Sequence, residues 1–221
     1  MHPFFHSFRS RSLPLVLLAA CCLLPAAVTA CQDGGTLAPT LPFDRMREGD
    51  LVFRCGEGIV SRAVLSVEED GVYSHVGILV RDGDAWKVVH AVPGEKEHPG
   101  DFDRVKAEAP ERFLAPDRAR AGALVHCGLS DPAVLARIRE TALGWARDNV
   151  PFDDDFDIAD SSRLYCTELV WRLYRRAGID LSEGRRRRLD ILFVHGDCLL
   201  PGHLFQYSGK TVYYQFNTQS L

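Results

Sequence analysis

The sequence predicts an α+β fold in which an antiparallel sheet packs against helices that come later in the chain. Two β-rich runs, residues 73–80 and 85–92, flank the turn sequence RDGD, which is the strongest hairpin signal present. Helical periodicity is clear only further along, over residues 132–145 and 162–177. The chain has 221 residues, of which 46% are hydrophobic and 25% charged, as in ordinary globular proteins.

The charge balance and the cysteine spacing limit the classes of function. A formal net charge of −4 lacks the basic footprint of a nucleic-acid binder, so we expect no nucleic-acid partner. The sequence contains no Cys-x-x-Cys pair beyond residue 31 and no His-Glu-x-x-His motif, the spacings that would predict a zinc site. We therefore expect neither a metal nor an organic cofactor.

The first thirty residues have the organisation of an export signal. Residues 1–12 carry Arg9 and Arg11 and no acid, and an apolar run with two prolines follows over residues 13–28. A transmembrane anchor is the alternative, although the run is short and interrupted by proline. The sequence VTAC at its end resembles a lipobox, which predicts lipidation at Cys31 and a membrane anchor in the cell envelope, facing the periplasm or the exterior. A secreted or periplasmic protein without the lipid is the alternative.

Residues 31–44, rich in Gly, Thr and Pro, are predicted to be a flexible tether, and residues 45–221 a single domain. Cys55, Cys127, Cys166 and Cys198 lie in that domain. If one of them is a working thiol, the other three cannot all pair. We therefore expect at most one disulfide.

Each remaining element has its own local signal. Residues 50–53 follow a turn and predict a strand, residues 58–67 are mixed and are compatible with a short helix, and residues 123–127 predict another strand. Asp131 and Pro132 are the N-cap and first residue of the first clear helix. The second helix ends at Gly178. The predictions for the end of the chain are an exposed loop over 185–188 and a strand over 211–216.

The hairpin brings two histidines together. If Asp82 and Gly83 form a two-residue turn, His75 lies directly opposite His90, with Cβ atoms about 4.5–5.5 Å apart. The two imidazoles are then close enough for a hydrogen bond or one bridging water. A four-residue turn would instead place His75 opposite Val92, so this prediction depends on the register.

Cys166 lies in the first turns of the second predicted helix. Unpaired N–H groups and the positive end of the helix dipole favour a thiolate there and offer donors for a developing oxyanion. The alternative is a small buried residue that packs on the sheet. From position alone, the small buried residue is the favoured interpretation.

Three motifs together carry a family resemblance. Residues 48–53 (EGDLVF), 74–78 (SHVGI) and 165–170 (YCTELV), in this order, resemble the circularly permuted papain-like cysteine amidases of the YaeF/YiiX group, which are relatives of the NlpC peptidoglycan endopeptidases. Residues 152–157 and 200–204 also resemble the family pattern. Each motif is weak alone, but their joint order and spacing are specific.

The resemblance implies a permuted papain-like fold in which a helix bearing the nucleophile packs on an antiparallel sheet bearing the histidine. It implies that Cys166 is the nucleophile, His75 the general base and His90 the residue that orients His75. Permutation accounts for a histidine that precedes the cysteine. Relatives often carry Glu where His90 stands, and a neutral imidazole stabilises an imidazolium less well than a carboxylate does.

The implied chemistry is acyl transfer through a thioester on Cys166, with its backbone N–H as an oxyanion donor. Tyr165 is a candidate to add a hydroxyl, or packs only, and Asp153 is a candidate contact for a substrate amine, or belongs to a solvated acidic loop. The favoured function is an envelope hydrolase that cleaves an amide, such as a peptidoglycan peptide. The alternatives are a lipid acyltransferase or esterase with the same thiol site and a catalytically silent binding module.

Overall fold

The computed structural model describes residues 38–68, 70–191 and 194–218. The predicted export signal, Cys31 and the tether up to residue 37 lie outside these ranges. The elements of the described chain are β1 (Leu51–Cys55), α1 (Ile59–Ser66), β2 (His75–Asp82), β3 (Ala85–Val92), β4 (Arg104–Glu108), α2 (Pro110–Phe113), β5 (Ala121–His126), α3 (Pro132–Arg147), α4 (Cys166–Arg176), β6 (Arg187–Ile191), β7 (Val194–Cys198), α5 (Pro201–Phe205) and β8 (Thr211–Asn217). No helix within these described residues is both long and apolar enough to span a membrane.

Six of the strands form one sheet in the order β4-β3-β2-β1-β5-β8, and β6 pairs with β7 in a separate hairpin. Every pairing between these strands is antiparallel. Strands β1 to β3 alternate core residues between the two faces, as the period of two requires. The predicted antiparallel sheet is confirmed.

The two faces of the sheet bury two hydrophobic clusters. On one face, Val76 and Ile78 pack with Leu169 and Leu173 of α4, so this face carries the helix that begins at Cys166. On the other face, Leu79 belongs to the cluster that contains Phe113 of α2. The predicted packing of the sheet against the cysteine-bearing helix is therefore confirmed.

The predicted helices are found with one corrected boundary. The Asp131 carboxylate accepts hydrogen bonds from the first N–H groups of α3, as predicted for an N-cap. Helix α4, however, begins at Cys166 and not at Ser162. Leu164 lies in a β-bridge with Phe152, which holds the preceding residues extended. The nucleophile candidate is thus the first residue of its helix.

The predicted hairpin has a different register. Asp82 lies opposite Ala85 and Leu79 opposite Val88, so Gly83 and Asp84 form the two-residue turn. Gly83 has φ 58°, the left-handed conformation that glycine adopts at low cost in a hairpin turn of this kind. The predicted turn at Asp82 and Gly83 is wrong by one residue. Each residue of β2 therefore lies opposite the β3 residue two positions after the predicted one.

Several short elements were not predicted. Strand β4, the hairpin of β6 with β7, and the short helices α2 and α5 are found in regions that were not assigned. Arg187 and Arg188, expected in an exposed loop, begin β6. Leu41, within the predicted tether, is buried in the Phe113 cluster, so the folded domain extends to the N-terminal side of residue 45.

Candidate active site

Cys166 is the first residue of α4 and lies next to the start of β2. The backbone N–H groups of Val76, Thr167 and Cys166 itself favour the thiolate form of its sulfur and lower the pKa. Two of these N–H groups belong to the first turn of α4, where the helix leaves its donors without intrahelical partners. The third belongs to the residue that follows His75. The sulfur is therefore influenced by the backbone N–H of the residue next to the predicted base.

The Cys166 side chain is a thiol at rest. Burial raises its pKa to about 11, although the three N–H groups and the charge of Arg54 act in the opposite direction. The expectation that the helix N-terminus favours a thiolate is therefore wrong in its net result, because desolvation of the charged sulfur outweighs the local donors. A base must take the proton when the sulfur reacts.

His75 is that candidate base, and its ring is held on two sides. Its Nε2 atom lies 2.9 Å from Nδ1 of His90. The same ring stacks on Phe113, with centroids 5.5 Å apart and an interplanar angle of 27°. Burial, Arg54 and His90 lower the pKa of His75 well below its ordinary value. The imidazole is therefore neutral at pH 7 and able to accept a proton.

Gly77 makes the contact between the two histidines possible. A Cβ atom at this position would press against Val88 and would lie 3.2 Å from Cβ of His90. A side chain here would occupy the space between His75 and His90 on this face of the sheet. Glycine keeps that space open.

His90 has a second partner, Glu108, which the sequence analysis missed. The Nε2 atom of His90 lies 3.1 Å from Oε1 of Glu108, at hydrogen-bond distance but off the ideal N–H direction. Burial raises the pKa of Glu108, but His90, Arg118 and Arg54 outweigh it and keep this carboxyl group ionised. Arg118 donates to both carboxylate oxygens, at 2.8 and 3.1 Å. The alternation of apolar and polar residues over Arg104–Glu108 is the signal that could have identified this strand.

Arg54 is a second missed residue. It lies directly opposite His75 in the β1–β2 pairing, is buried, and forms an ion pair with Glu95. Glu95 also binds Arg118, at 2.6 Å. The charged network thus runs from Arg54 through Glu95 and Arg118 to Glu108, the second partner of His90. A lone arginine in the otherwise apolar strand Leu51–Cys55 was the available signal, because a buried charge needs a partner.

Tyr165 and Asp153 have mainly structural contacts. The N–H of Leu199 donates to the hydroxyl of buried Tyr165, at 3.0 Å. Asp153 is fully buried, and its carboxylate accepts the N–H groups of Asp155 and Asp157. The predicted contact of Asp153 with a substrate amine is therefore wrong, because its carboxylate closes the loop that follows Phe152. Asp154, not Asp153, lines the cavity beside Cys166.

The other three cysteines of the domain are buried and, like Cys166, are free thiols. Burial raises the pKa of Cys127 to about 12 and that of Cys198 to about 11. Cys166 differs from them because its residue is partly exposed. Within the described residues, no group of three or more His, Cys, Asp or Glu side chains is placed to hold a metal ion.

A sheet that carries a buried histidine pair, packed against a helix that begins with cysteine, defines a papain-like cysteine hydrolase. Its elements are circularly permuted, because His75 precedes Cys166 in the chain. The family model of permuted papain-like amidase enzymes (YaeF/YiiX, C92 family) matches residues 45–189. The chain belongs to this family of papain-like cysteine amidases.

A solved structure supports the fold assignment. The crystal structure of metalloprotein yiiX from Escherichia coli O157:H7 superposes with a TM-score of 0.63 at 19% sequence identity, covering 77% of this chain and 97% of that chain. No curated protein sequence matches the chain. The similarity at this level of identity concerns the fold.

Proposed function

We propose that this protein is a thiol hydrolase of the cell envelope that cleaves an amide bond through a thioester on Cys166. The single observation that supports it most is the row of buried side chains Glu108, His90 and His75, which ends at the residue before Val76, whose backbone N–H lowers the pKa of Cys166. Family membership supports an amide as the bond attacked. The envelope location rests on the predicted export signal and on the resemblance of its end to a lipobox, both within residues 1–31.

The neighbours of the two imidazoles support one assignment of their protons. An ionised carboxylate only accepts, so we assign a proton to Nε2 of His90, which lies 3.1 Å from Oε1 of Glu108. Nδ1 of His90 then carries a lone pair and accepts the Nε2–H of His75. This leaves Nδ1 of His75 unprotonated as the general base. In this proposal Glu108 acts on the base through His90, in place of the Glu that relatives often carry at the position of His90.

The reaction proceeds in two acyl transfers. As the Cys166 sulfur attacks the amide carbonyl carbon, Nδ1 of His75 takes the thiol proton, and the N–H of Cys166 stabilises the oxyanion. His75 then gives this proton to the leaving amine, and the carbon–nitrogen bond breaks to leave a thioester. Water, deprotonated by His75, attacks the thioester and releases the carboxylic acid and the thiol.

The resting pair is neutral. The pKa of Cys166 is raised to about 11 and that of His75 is lowered, both chiefly by burial. The proton therefore moves during attack on the substrate, and Glu108 stabilises the imidazolium through His90. A base without this support would lose much of its ability to hold the proton.

The test is amide hydrolysis by the full chain, followed as release of a primary amine from muropeptides and from N-acyl amino acids. We expect turnover that is abolished in Cys166→Ala and in His75→Gln, while both variants keep the wild-type circular dichroism spectrum. Cys127→Ala, which changes a buried thiol beside Tyr174 near the C-terminal end of α4, is the matched control and keeps the activity. Equal turnover by Cys166→Ala and the wild type would refute the proposal.

A further inference from the structure

Two cavities meet at the candidate active site, and a serine lies at their junction. The first cavity, of about 270 Å³, is lined by Cys166, and the second, of about 530 Å³, is lined by His75. The residues that line both cavities are Ile59, Val60, Ser74 and Pro93. Of these shared residues, only Ser74 has a polar side chain.

The bond to be cleaved must reach both cavities. In the proposed amide hydrolysis, the carbonyl carbon bonds to the Cys166 sulfur, and the amine nitrogen receives a proton from His75. The amide group therefore lies where the two cavities meet, at Ser74. Given that proposed reaction, we infer that the Ser74 hydroxyl is a further catalytic group, which donates a hydrogen bond to the carbonyl oxygen as this atom becomes an oxyanion.

The Ser74 hydroxyl has a proton to donate. Its Oγ atom accepts the backbone N–H of Gly56 at 3.1 Å, and the residue is only 4% exposed. Within the part of the chain that the structure describes, no group accepts the Ser74 O–H. A hydroxyl group is both donor and acceptor, and its burial without an acceptor is costly. A substrate oxygen at the junction of the cavities supplies the missing acceptor.

Ser74 is held in place before a substrate arrives. Its backbone N–H donates to the carbonyl oxygen of Arg54 at 3.0 Å. The hydrogen bond from Gly56 fixes the side chain as well, so both the backbone and the hydroxyl of Ser74 are tied to the end of β1. A donor that is fixed in advance stabilises a developing charge without the cost of reorganisation.

The position of Ser74 complements the donor already assigned on α4. Ser74 lies two residues before Val76, whose N–H favours the thiolate form of Cys166. The Cys166 N–H approaches the oxyanion from the helix, and the Ser74 hydroxyl approaches it from the sheet. Two donors aimed at one oxygen are the usual way in which a protein stabilises the tetrahedral intermediate of acyl transfer.

The other hydroxyl groups near Cys166 are less suited to this role. The Thr167 hydroxyl donates to the backbone oxygen of Leu199 at 2.8 Å. The Tyr165 hydroxyl accepts the N–H of Leu199 at 3.0 Å. Thr167 and Tyr165 line the first cavity and not the second. Neither of them is therefore at the junction that the amide group must occupy.

The electron and proton movements balance with Ser74 as a donor only. As the carbon–sulfur bond forms, the carbonyl π pair moves to the oxygen, and the thiol proton passes to Nδ1 of His75. The Ser74 O–H and the Cys166 N–H then donate to this oxyanion. When the carbonyl re-forms, the carbon–nitrogen bond breaks, and the amine takes the proton from His75. Ser74 keeps its own proton throughout.

The first test uses p-nitrophenyl acetate, an activated ester, with the full chain. The readout is the Cys166-dependent release of p-nitrophenolate, which is the rate of each protein minus the rate of the same protein with Cys166→Ala added. We expect this rate to fall about 10- to 100-fold in Ser74→Ala, because an oxyanion-hole donor typically contributes about 100- to 1,000-fold to kcat. Equal rates in Ser74→Ala and the wild type would overturn the inference.

The second test uses iodoacetamide and separates catalysis from a structural role. Alkylation forms a carbon–sulfur bond while iodide leaves, so the reaction passes through no oxyanion. Ser74→Ala should therefore keep the wild-type rate of alkylation at Cys166, measured by peptide mapping. If alkylation fell by the same factor as ester cleavage, Ser74 would act only on the structure around the thiol, and the inference would be wrong.

Ser182→Ala is the matched control. Ser182 is also buried, and its hydroxyl accepts from Arg186 and donates to Asp180. It lines neither of the two cavities. We expect this variant to keep the wild-type rate with both reagents. A loss of ester cleavage as large as that in Ser74→Ala would attribute the effect to any lost buried hydroxyl and would contradict the inference.

The same measurements separate this inference from the proposed function. Release of p-nitrophenolate at equal rates by the wild type and Cys166→Ala would refute the thioester chemistry, and the role of Ser74 with it. Cys166-dependent release that does not change in Ser74→Ala would refute only the role of Ser74 and would keep the hydrolase.

Discussion

Nε2 of His75 lies 2.9 Å from Nδ1 of His90 although the two residues occupy diagonal positions of the β2–β3 pairing. The same diagonal relationship recurs between His90 and Glu108, since Val88 lies opposite Glu108 and His90 opposite Lys106. Each of the strands β2, β3 and β4 thus contributes one polar residue. Each of these residues is offset by two positions from the one directly opposite its neighbour in the row. The result is a buried row in which every side chain orients the next.

Gly77→Ala tests the space that this row needs. The added Cβ would press against Val88 and crowd His90, and a displacement of the base by about 1 Å can cost about 100-fold in rate. We expect kcat/KM for amide hydrolysis to fall by about 10- to 100-fold. The control is Gly144→Ala in α3, where the nearest atom to a new Cβ is 3.9 Å away, and it should leave activity unchanged. Full activity of Gly77→Ala would show that the space is not needed.

Glu108→Gln tests the carboxylate at the end of the row. Glutamine keeps the size of the side chain but removes the charge that holds His90 in one tautomer, and a charge-assisted hydrogen bond is worth about 1.5–3 kcal/mol. We expect kcat to fall about tenfold or more, which corresponds to about 1.4 kcal/mol. Glu48→Gln breaks a comparable ion pair with Arg139 and should keep wild-type kcat. Equal kcat values for the two variants would remove Glu108 from the mechanism.

Alkylation by iodoacetamide tests the resting state of the nucleophile. Burial raises the pKa of Cys166 to about 11, so the rate should still be rising between pH 8 and pH 10. Among the four cysteines of the folded domain, peptide mapping should find the label first at Cys166, because Cys55, Cys127 and Cys198 are buried. His75→Gln should leave this pH profile unchanged, since His75 is neutral over the same range. A rate that levels off below about pH 8.5 would instead indicate a preformed thiolate–imidazolium pair.

The buried histidines predict a loss of stability in acid. Burial holds the pKa of His75 well below 6.5 in the folded protein, whereas the unfolded chain takes up the proton near pH 6.5. Its contribution is therefore complete above pH 6.5 and declines as the pH falls from there toward the folded pKa, at up to about 1.4 kcal/mol per pH unit. Urea unfolding at pH 7.5 and pH 5.5 should show a smaller loss in His75→Gln than in the wild type. The same loss in both proteins would mean that His75 is protonated in the folded state.

Much of the fold follows from local sequence patterns. Three short-range signals are not overridden by tertiary packing. They are the Asp131 cap, the glycine after α4 and the alternation in β2 and β3. The contact between His75 and His90 is found even though the turn was placed one residue too early. The resulting shift is by two residues, and an even shift keeps each side chain on the same face of the sheet.

Other parts of the site depend on long-range contacts that sequence patterns do not show. Glu108 acquires its role only because β4 pairs beside β3, and Arg54 only because it lies opposite His75. The pKa of Cys166 depends on burial between α4 and β2, which outweighs the helix N-terminus. Asp153 was not distinguished from its exposed acidic neighbours, because only the folded chain shows that its carboxylate is buried and accepts the N–H groups of Asp155 and Asp157.

The central claim is that substrate acyl groups become attached to Cys166. The full chain is mixed with N-octanoylglycine, quenched in acid within one turnover, digested and analysed by mass spectrometry. We predict an octanoyl thioester on the peptide that contains Cys166, lost on treatment with hydroxylamine, and no adduct in His75→Gln. Glycine release without any acyl adduct at Cys166 in the quenched wild-type protein would contradict the claim.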